Sequence, residues 1–317
     1  YFQPVGDLDI MILDTLTFEE FLDAEGKRDL YNSVDLYGKS SHEAYDELKR
    51  YYDLYCQIGG YPAVVKTYLE TRDMEICQTE LDRVIHIFTE ESQGYFDNVL
   101  DINLFGQLLP AVAQTMIREK KGSVDLITEL SKIVYKQESS RLSKKSINQA
   151  IAWLYRSHIL DFCGKANDCN PTDISANSRF YFLDVGVCRS FLDMAGADLP
   201  TLRGIVNENF VYIDLLKRVR SRKISGTAPI FGLYKEGEID FLVNSRENYK
   251  TYGVEVKSGK TEGKTAQLLL KDEKVEAVYF LKGDTYGGIA DRKVTVPIYL
   301  VGRMQFDFVK EHTPGSS

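Results

Sequence analysis

The chain lacks most of what would build a metal cluster or a disulfide scaffold. It carries four histidines and five cysteines in 317 residues, and Cys56, Cys77, Cys163, Cys169 and Cys188 form no CxxC pair. This spacing argues against a zinc site and leaves reduced, buried thiols as the expectation. No run approaches the ~18 apolar residues of a membrane-spanning helix, and no basic-then-apolar leader opens the chain. A cytoplasmic protein with no membrane contact is therefore expected. Positive charge is also short: 39 Lys and Arg stand against 47 Asp and Glu, a formal net charge of -8. Such a molecule is not a general polyanion binder, so any contact with nucleic acid must come from a local patch. Only 23 glycines and 8 prolines are present, which excludes collagen-like and linker-dominated chains. An initiator methionine is missing as well. The opening Tyr1-Phe2-Gln3 fits the remnant of a cleavable tag and is set aside from fold reasoning. The chain is expected to be cut from something longer.

What is present is ordinary globular material, 44% hydrophobic and 27% charged, and at ~150 residues per domain the length predicts two domains. The apolar run LDIMIL at 8–13 predicts a short buried strand. Thr17 with Glu20 three residues on predicts a capping box opening the helix FEEFLDAEG. Residues 40–118 are helical in pattern and rich in aromatics, with Gly59-Gly60 and Pro62 marking a break. Tyr45, Tyr51, Tyr52 and Tyr55 recur at helical spacing, which suits helix packing better than a cofactor box.

Residues 123–162 read as a helix, a turn and a second helix that begins with polar and basic residues, the shape of a helix-turn-helix. Such modules present the start of the second helix to a major groove. Arg141, Lys144, Lys145, Asn148 and Gln149 have suitable chemistry, although the same shape also serves as a packing or protein-contact module. Residues 163–179 are polar and turn-rich, a predicted loop or wing tip. RFYFLDVGVCRSFL then predicts a short strand running into a helix, and Asp198-Leu199-Pro200 a domain boundary.

Beyond 200 the pattern becomes helix, strands, helix, strands. RGIVNENFVYIDLLKRVRSRK is an amphipathic helix, and APIFGLY and GEIDFLVN are strand runs separated by a hairpin signal at 235–237. KTYGVEVKSG predicts a third strand, GKTAQLLLKDEK a helix, and AVYFLKG and TVPIYLVG further strands. Asp240 sits in the second strand, and after fourteen intervening residues the third carries Glu255-Val256-Lys257. Alternation puts Glu255 and Lys257 on one face and Val254 and Val256 on the other. If the two strands are neighbours, Asp240 converges with Glu255 and Lys257, and Glu208 on the preceding helix supplies a third carboxylate.

Carboxylate oxygens are hard ligands that suit Mg²⁺. Such an ion polarises a phosphodiester and lowers the pKa of bound water. A lysine beside it orients the nucleophile or stabilises charge developing at phosphorus. Asp240 alone reads equally as a cap or ion-pair partner, and Glu255 with Lys257 as a solvated strand pair. Only the joint pattern D-(x14)-E-x-K points to metal-dependent phosphodiester chemistry.

These stretches resemble a family of prokaryotic AAA-type ATPases that carry a domain of unknown function with a PD-(D/E)XK nuclease-like fold. The resemblance rests on PVG and LTFEEFL near the start, GGYPAVV at 59–65 and RFYFLDVGV at 179–187. GIVNENFV at 204–211, GEIDFLV at 237–243 and GVEVKSG at 253–259 are its most specific part. It implies an α/β (α+β overall) chain in three parts. These are a remnant of an ATPase domain over 1–38, a helical and winged-helix-like region over 39–199, and a restriction-endonuclease-like α/β domain over 200–317. It also implies Glu208, Asp240, Glu255 and Lys257 as the nuclease site, the three carboxylates as metal ligands, and Gln267 as an accessory that touches nucleic acid.

The motor itself is missing from this stretch. A P-loop requires G-x4-G-K-[ST], and the positions five residues before Gly259 and Gly263 hold Val254 and Ser258. ATP is therefore expected only through an N-terminal ATPase domain of a longer parent protein, which is also the expected partner. The dense basic run Lys217, Arg218, Arg220, Arg222 and Lys223 reads either as a phosphate-contacting patch beside the site or as a solvated helix C-terminus favoured by the dipole. The sequence thus predicts a Mg²⁺-dependent nuclease domain acting on DNA or RNA. The alternative is a non-catalytic nuclease-fold module that binds DNA or a protein and regulates the ATPase.

Overall fold

The computed structural model of the chain describes residues 13–95, 104–118, 126–137, 143–257 and 263–308. The strand predicted at 8–13 lies, except for Leu13, outside them, as does Arg141.

Helices occupy the first half: α1 (Phe18–Ala24), α2 (Arg28–Ser33), α3 (His42–Ile58), α4 (Pro62–Thr71), α5 (Met74–Tyr95), α6 (Leu104–Arg118), α7 (Leu126–Gln137) and α8 (Lys144–Arg156). Their boundaries follow local chemistry. The Thr17 side chain accepts from the Glu20 N–H while Glu20 returns to the Thr17 N–H, closing the expected capping box on α1. Ser41 and Ser143 cap α3 and α8 in the same way. Gly59, at φ 73, ends α3, and Pro62 opens α4 where its missing N–H is harmless. Tyr45, Tyr52 and Tyr55 are buried, so the tyrosine stripe of α3 is core.

The hairpin β1 (Leu160–Ala166) and β2 (Ile174–Phe182) follows, then α9 (Val185–Met194) and α10 (Leu199–Arg220). The remainder is β3 (Ile230–Tyr234), β4 (Gly237–Asn244), β5 (Thr251–Lys257), α11 (Lys264–Lys271), β6 (Val278–Lys282), β7 (Gly288–Ala290) and β8 (Lys293–Pro297). All eight strands form one mixed sheet in the order β2-β1-β3-β4-β5-β6-β8-β7. β3, β4 and β5 are successively antiparallel, whereas β1 with β3, β5 with β6 and β6 with β8 are parallel. The chain is thus a mixed α/β protein.

Three features of the structure bear on the sequence expectations. Residues 163–166 and 174–179, read as loop, are strand, with Asn167–Asp173 as the turn; their polar side chains hide a ladder held by backbone groups. TVPIYLVG is strand only to Pro297 and then a 3-10 turn, Ile298–Arg303, whose Ile298, Tyr299, Leu300 and Val301 are all buried. A continuous apolar run reads alike in either form. Finally, hydrogen bonding crosses the boundary expected at 200. Gly164, Lys165 and Ala166 of β1 pair with Ile230, Phe231 and Gly232 of β3, and one core extends from Phe18 to Phe306.

Two positions tie the halves together. Asp184 caps α9 through Gly186 and Val187 and accepts from the Gly60 N–H with its other oxygen. Asn209, in the middle of α10 and fully buried, accepts from the Phe182 N–H at 2.9 Å and donates to the Phe182 carbonyl at 2.8 Å. The helix thereby covers the outer edge of β2 with a side-chain amide. Asn209→Leu leaves both Phe182 groups unpaired in the core, and the loss is expected to be about 3 kcal/mol. Urea unfolding should show a lower midpoint at unchanged slope.

Candidate functional site: a buried carboxylate cluster

Strand β4 carries an extra residue. Ile230 of β3 faces Leu242, but Gly232 faces Ile239, so three steps along β4 match two along β3. Such a bulge breaks alternation and re-aims side chains. Ile239 faces the smaller core beneath α11, while Phe241 and Val243 face the main core. Asp240 sits at the change of face.

The β4–β5 ladder stops at the same point. Its last pair is Phe241 with Val254, and the Val256 N–H goes to Asp240 Oδ2 at 2.6 Å. A side-chain carboxylate thus takes the N–H of the residue between Glu255 and Lys257. Lys257 Nζ lies 2.7 Å from Glu255 Oε1, as expected for residues two apart on one strand face. Glu255 is only 3% exposed, and a Cβ on Gly263, the N-cap of α11, would come within 2.8 Å of its Oε1. Glu255 Oε2 is buried and has no hydrogen-bond partner among the described residues.

Asp240, Glu255 and Lys257 are therefore brought together as the spacing predicts. Burial, with Glu255 and Glu208 nearby, pushes the Asp240 carboxyl well above the usual carboxylate range, against the pull of Lys257 and the Val256 N–H. Glu255 is raised by its burial, with Glu238 adding to it and Lys257 opposing. Burial works against the Lys257 charge, but Glu255, Asp240 and Glu208 outweigh it and raise the ammonium pKa.

Glu208 is close enough to act on all of this but is held elsewhere. It accepts from the Tyr181 hydroxyl and lies 3.6 Å from Arg179. Among the described residues no three of His, Cys, Asp and Glu form a metal-holding group. Glu208, the third carboxylate expected from the sequence, is thus engaged by Tyr181 and Arg179 while its charge still acts on Asp240 and Lys257. Asp240 and Glu255 remain as the close pair.

Four residues of this neighbourhood escaped the sequence reading. Arg179, 6% exposed, pairs with Glu238 at 3.0 Å and lies over the Phe231 ring. Tyr181 stacks on Tyr212 of α10 at 4.0 Å. Glu238 stands two residues before Asp240, a spacing that could have flagged it. Lys282 is the register partner of Lys257 on β6 and shares its face; it makes no ion pair with any described residue. Nothing in the sequence signals that pairing.

The remaining expected contacts are spread over α8, α10 and α11. Lys217 is nine residues beyond Glu208, ~13 Å along the helix and half a turn round. Arg218 is occupied by Asp214 and by the Val301 and Met304 carbonyls, and Arg220 by Asp14 at 2.7 Å. Arg222 is exposed at the end of α10 with φ 59. Lys144 and Lys145 are exposed in the first turn of α8, with Lys144 donating to Thr128. Gln267 is exposed on α11, the helix whose N-cap abuts Glu255.

A family model described as a domain of unknown function, DUF8612, matches residues 49–198, just under half of the chain. It takes in Arg179 and Tyr181 but none of the four carboxylates. No curated protein and no solved structure gave a match. Among the described residues no helix is long and apolar enough to cross a membrane.

The raised carboxyls have a consequence for stability. An acid whose pKa is higher folded than unfolded binds more protons in the native state. Its contribution is fully present below the unfolded carboxyl pKa and is lost as pH rises through the raised, folded value. Asp240→Asn keeps an acceptor for Val256 and removes one charge. It should raise the melting temperature at pH 7.5 by about 2–4 °C, the scale of ~1 kcal/mol. Scans at pH 4 should show the gain vanish.

Proposed function

We propose that this chain is the C-terminal part of an AAA-type ATPase-family protein and carries a PD-(D/E)XK nuclease-like domain that hydrolyses nucleic-acid phosphodiesters with Mg²⁺. The observation that carries the reading is the meeting of Asp240, Glu255 and Lys257 where the β4–β5 ladder opens. The element order α10-β3-β4-β5-α11-β6, with β3 to β5 antiparallel and β6 parallel to β5, supports it by bringing the strands that bear Asp240, Glu255 and Lys257 next to one another. The order α6-α7-α8-β1-β2 supports a winged-helix-like unit, with α8 as the helix offered to DNA and the β1–β2 turn as the wing.

The donors fit the ion. Two hard carboxylates near enough for Glu255 to act on Asp240 have raised pKa values, and one buried oxygen, Glu255 Oε2, lacks a partner among the described residues. Mg²⁺ is commonly held by one or two carboxylates with waters completing its shell. When bound it would supply Lewis acidity at a phosphate oxygen and a more acidic water. Of the chain's own groups, Asp240 and Glu255 would hold the ion, and the Val256 N–H orients Asp240. Lys257 is the cation that faces charge building on the phosphate. Lys282, beside it in register, is a second cation for the substrate backbone.

A second reading is supported by the pairing of Glu208 with Arg179 and Tyr181: a nuclease-fold module that binds DNA or a partner protein and regulates the ATPase without cutting. Incubation with supercoiled DNA, single-stranded DNA and RNA in Mg²⁺ or Mn²⁺ separates the two. The nuclease reading expects metal-dependent nicking, lowered at least about 100-fold in Lys257→Ala and Asp240→Ala. Absence of cutting, with binding equal in wild type and both variants, leaves the regulatory module. Lys282→Ala should weaken binding to all sequences alike and reduce the salt slope by about 0.7–0.9.

A further inference from the structure

The basic run at the end of α10 borders a cavity on another side of the molecule from the carboxylates. This cavity, of about 290 Å³, lies between α1, α2, α10 and the Ile298–Arg303 turn. Phe18, Tyr31, Tyr55, Phe210 and Tyr299 form its apolar wall. Phe18 makes edge-on contacts with Tyr31 and Phe210 at 6.0 and 6.3 Å, so that wall is rigid.

The charged groups around it are nearly all matched. Glu19 accepts from Arg28 at 2.8 Å and from the Tyr31 hydroxyl at 3.1 Å. Asp214 accepts from Arg218 at 2.7 Å, and Arg218 spends its other donors on the Val301 and Met304 carbonyls. The Tyr55 hydroxyl donates to the Leu16 carbonyl. Lys223 is exposed and hydrated. Lys217 differs from all of these. It is half-buried, lines the cavity, and makes no hydrogen bond or ion pair with any described residue. Burial lowers its pKa although Asp14, Glu20 and Asp214 pull the other way. A half-buried ammonium without a partner is costly in a folded chain. The cavity has an aromatic wall facing a polar one, the composition of a small-molecule site, and on the polar wall Lys217 is the half-buried cation with no partner among the described residues.

We infer that this cavity binds a small monoanionic molecule with a flat apolar body, an aromatic carboxylate, whose carboxylate pairs with Lys217. One unmatched ammonium suits a single negative charge, and the exposed Lys223 at the mouth adds to the attraction. The cavity volume limits the body to one or two fused rings.

Calorimetric titration with 2-naphthoate, and with 2-naphthylmethanol as the neutral isostere, tests this. The acid should bind one to one and at least tenfold tighter than the alcohol. Lys217→Met should remove that preference, and Lys223→Met should retain most of it. Should Lys217→Met fail to fold, 2-naphthoate must protect Lys217 of the wild type from acetic anhydride, as mapped by mass spectrometry. Equal binding of acid and alcohol, no binding of either, binding unaffected by Lys217→Met, or unprotected acylation would each overturn the assignment.

Discussion

The paired hydrogen bonds between Asn209 and Phe182 govern much of this architecture. A side-chain amide offers one donor and one acceptor in the spacing of a peptide group, so Asn209 completes an edge strand as a further strand would. The helix on which it sits is thereby fixed in rotation and in height against β2. Its neighbours then have no choice of direction. Glu208 meets the Tyr181 hydroxyl, while Phe210 enters the cluster of Phe18, Tyr52 and Tyr55. The places of Glu208 beside the acidic cluster and of Phe210 in the cavity wall both follow from that one contact. It also joins chain on either side of residue 200, where composition alone places a boundary.

Two kinds of buried carboxylate coexist here, and their surroundings separate them. Asp184 is fully buried, yet its oxygens accept three backbone N–H groups that hold α9 and the Gly59-Gly60 turn in place. That is a structural acid, satisfied where it stands. Asp240 is half-buried and Glu255 buried, with Glu208 and Glu238 near, while Lys257 pairs with Glu255 and Arg179 with Glu238. Burial and like charges so close raise both carboxyls. Such an arrangement costs stability, and a cation supplied from outside would relieve it.

Legibility in the sequence followed the range of the interaction. The capping box at Thr17, the stop at Gly59 and the α8 cap at Ser143 are decided within four residues, and each was readable. Asp240, Glu255 and Lys257 were readable because strand alternation and one hairpin suffice to bring them together. Arg179 and Tyr181 were not, because they reach the cluster through the β2 edge and the fold of α10, contacts that span 27 residues or more. The β1–β2 hairpin was obscured for a related reason: its polar side chains read as loop, while backbone pairing with β3, more than sixty residues away, sustains it. The placing of Glu208 shows the same limit. Helical position correctly placed Glu208 near the strands, but the hydroxyl and guanidinium that turn it aside come from a distant strand.

The bulge and the opened ladder are best understood as one device. A regular β4 would pair through Ile239 and Val256 and bury an alternating apolar face. With the extra residue, Asp240 leaves that alternation and its carboxylate replaces the missing backbone acceptor at Val256. The gap this creates lies where the parallel strands β5 and β6 end, and Lys257 and Lys282 stand there side by side. Like charges in register oppose sheet formation, and only Lys257 has a carboxylate to offset its charge. Stability alone would therefore select against this edge. A molecule of net charge -8 concentrates here the opposite arrangement, buried acids flanked by adjacent lysines.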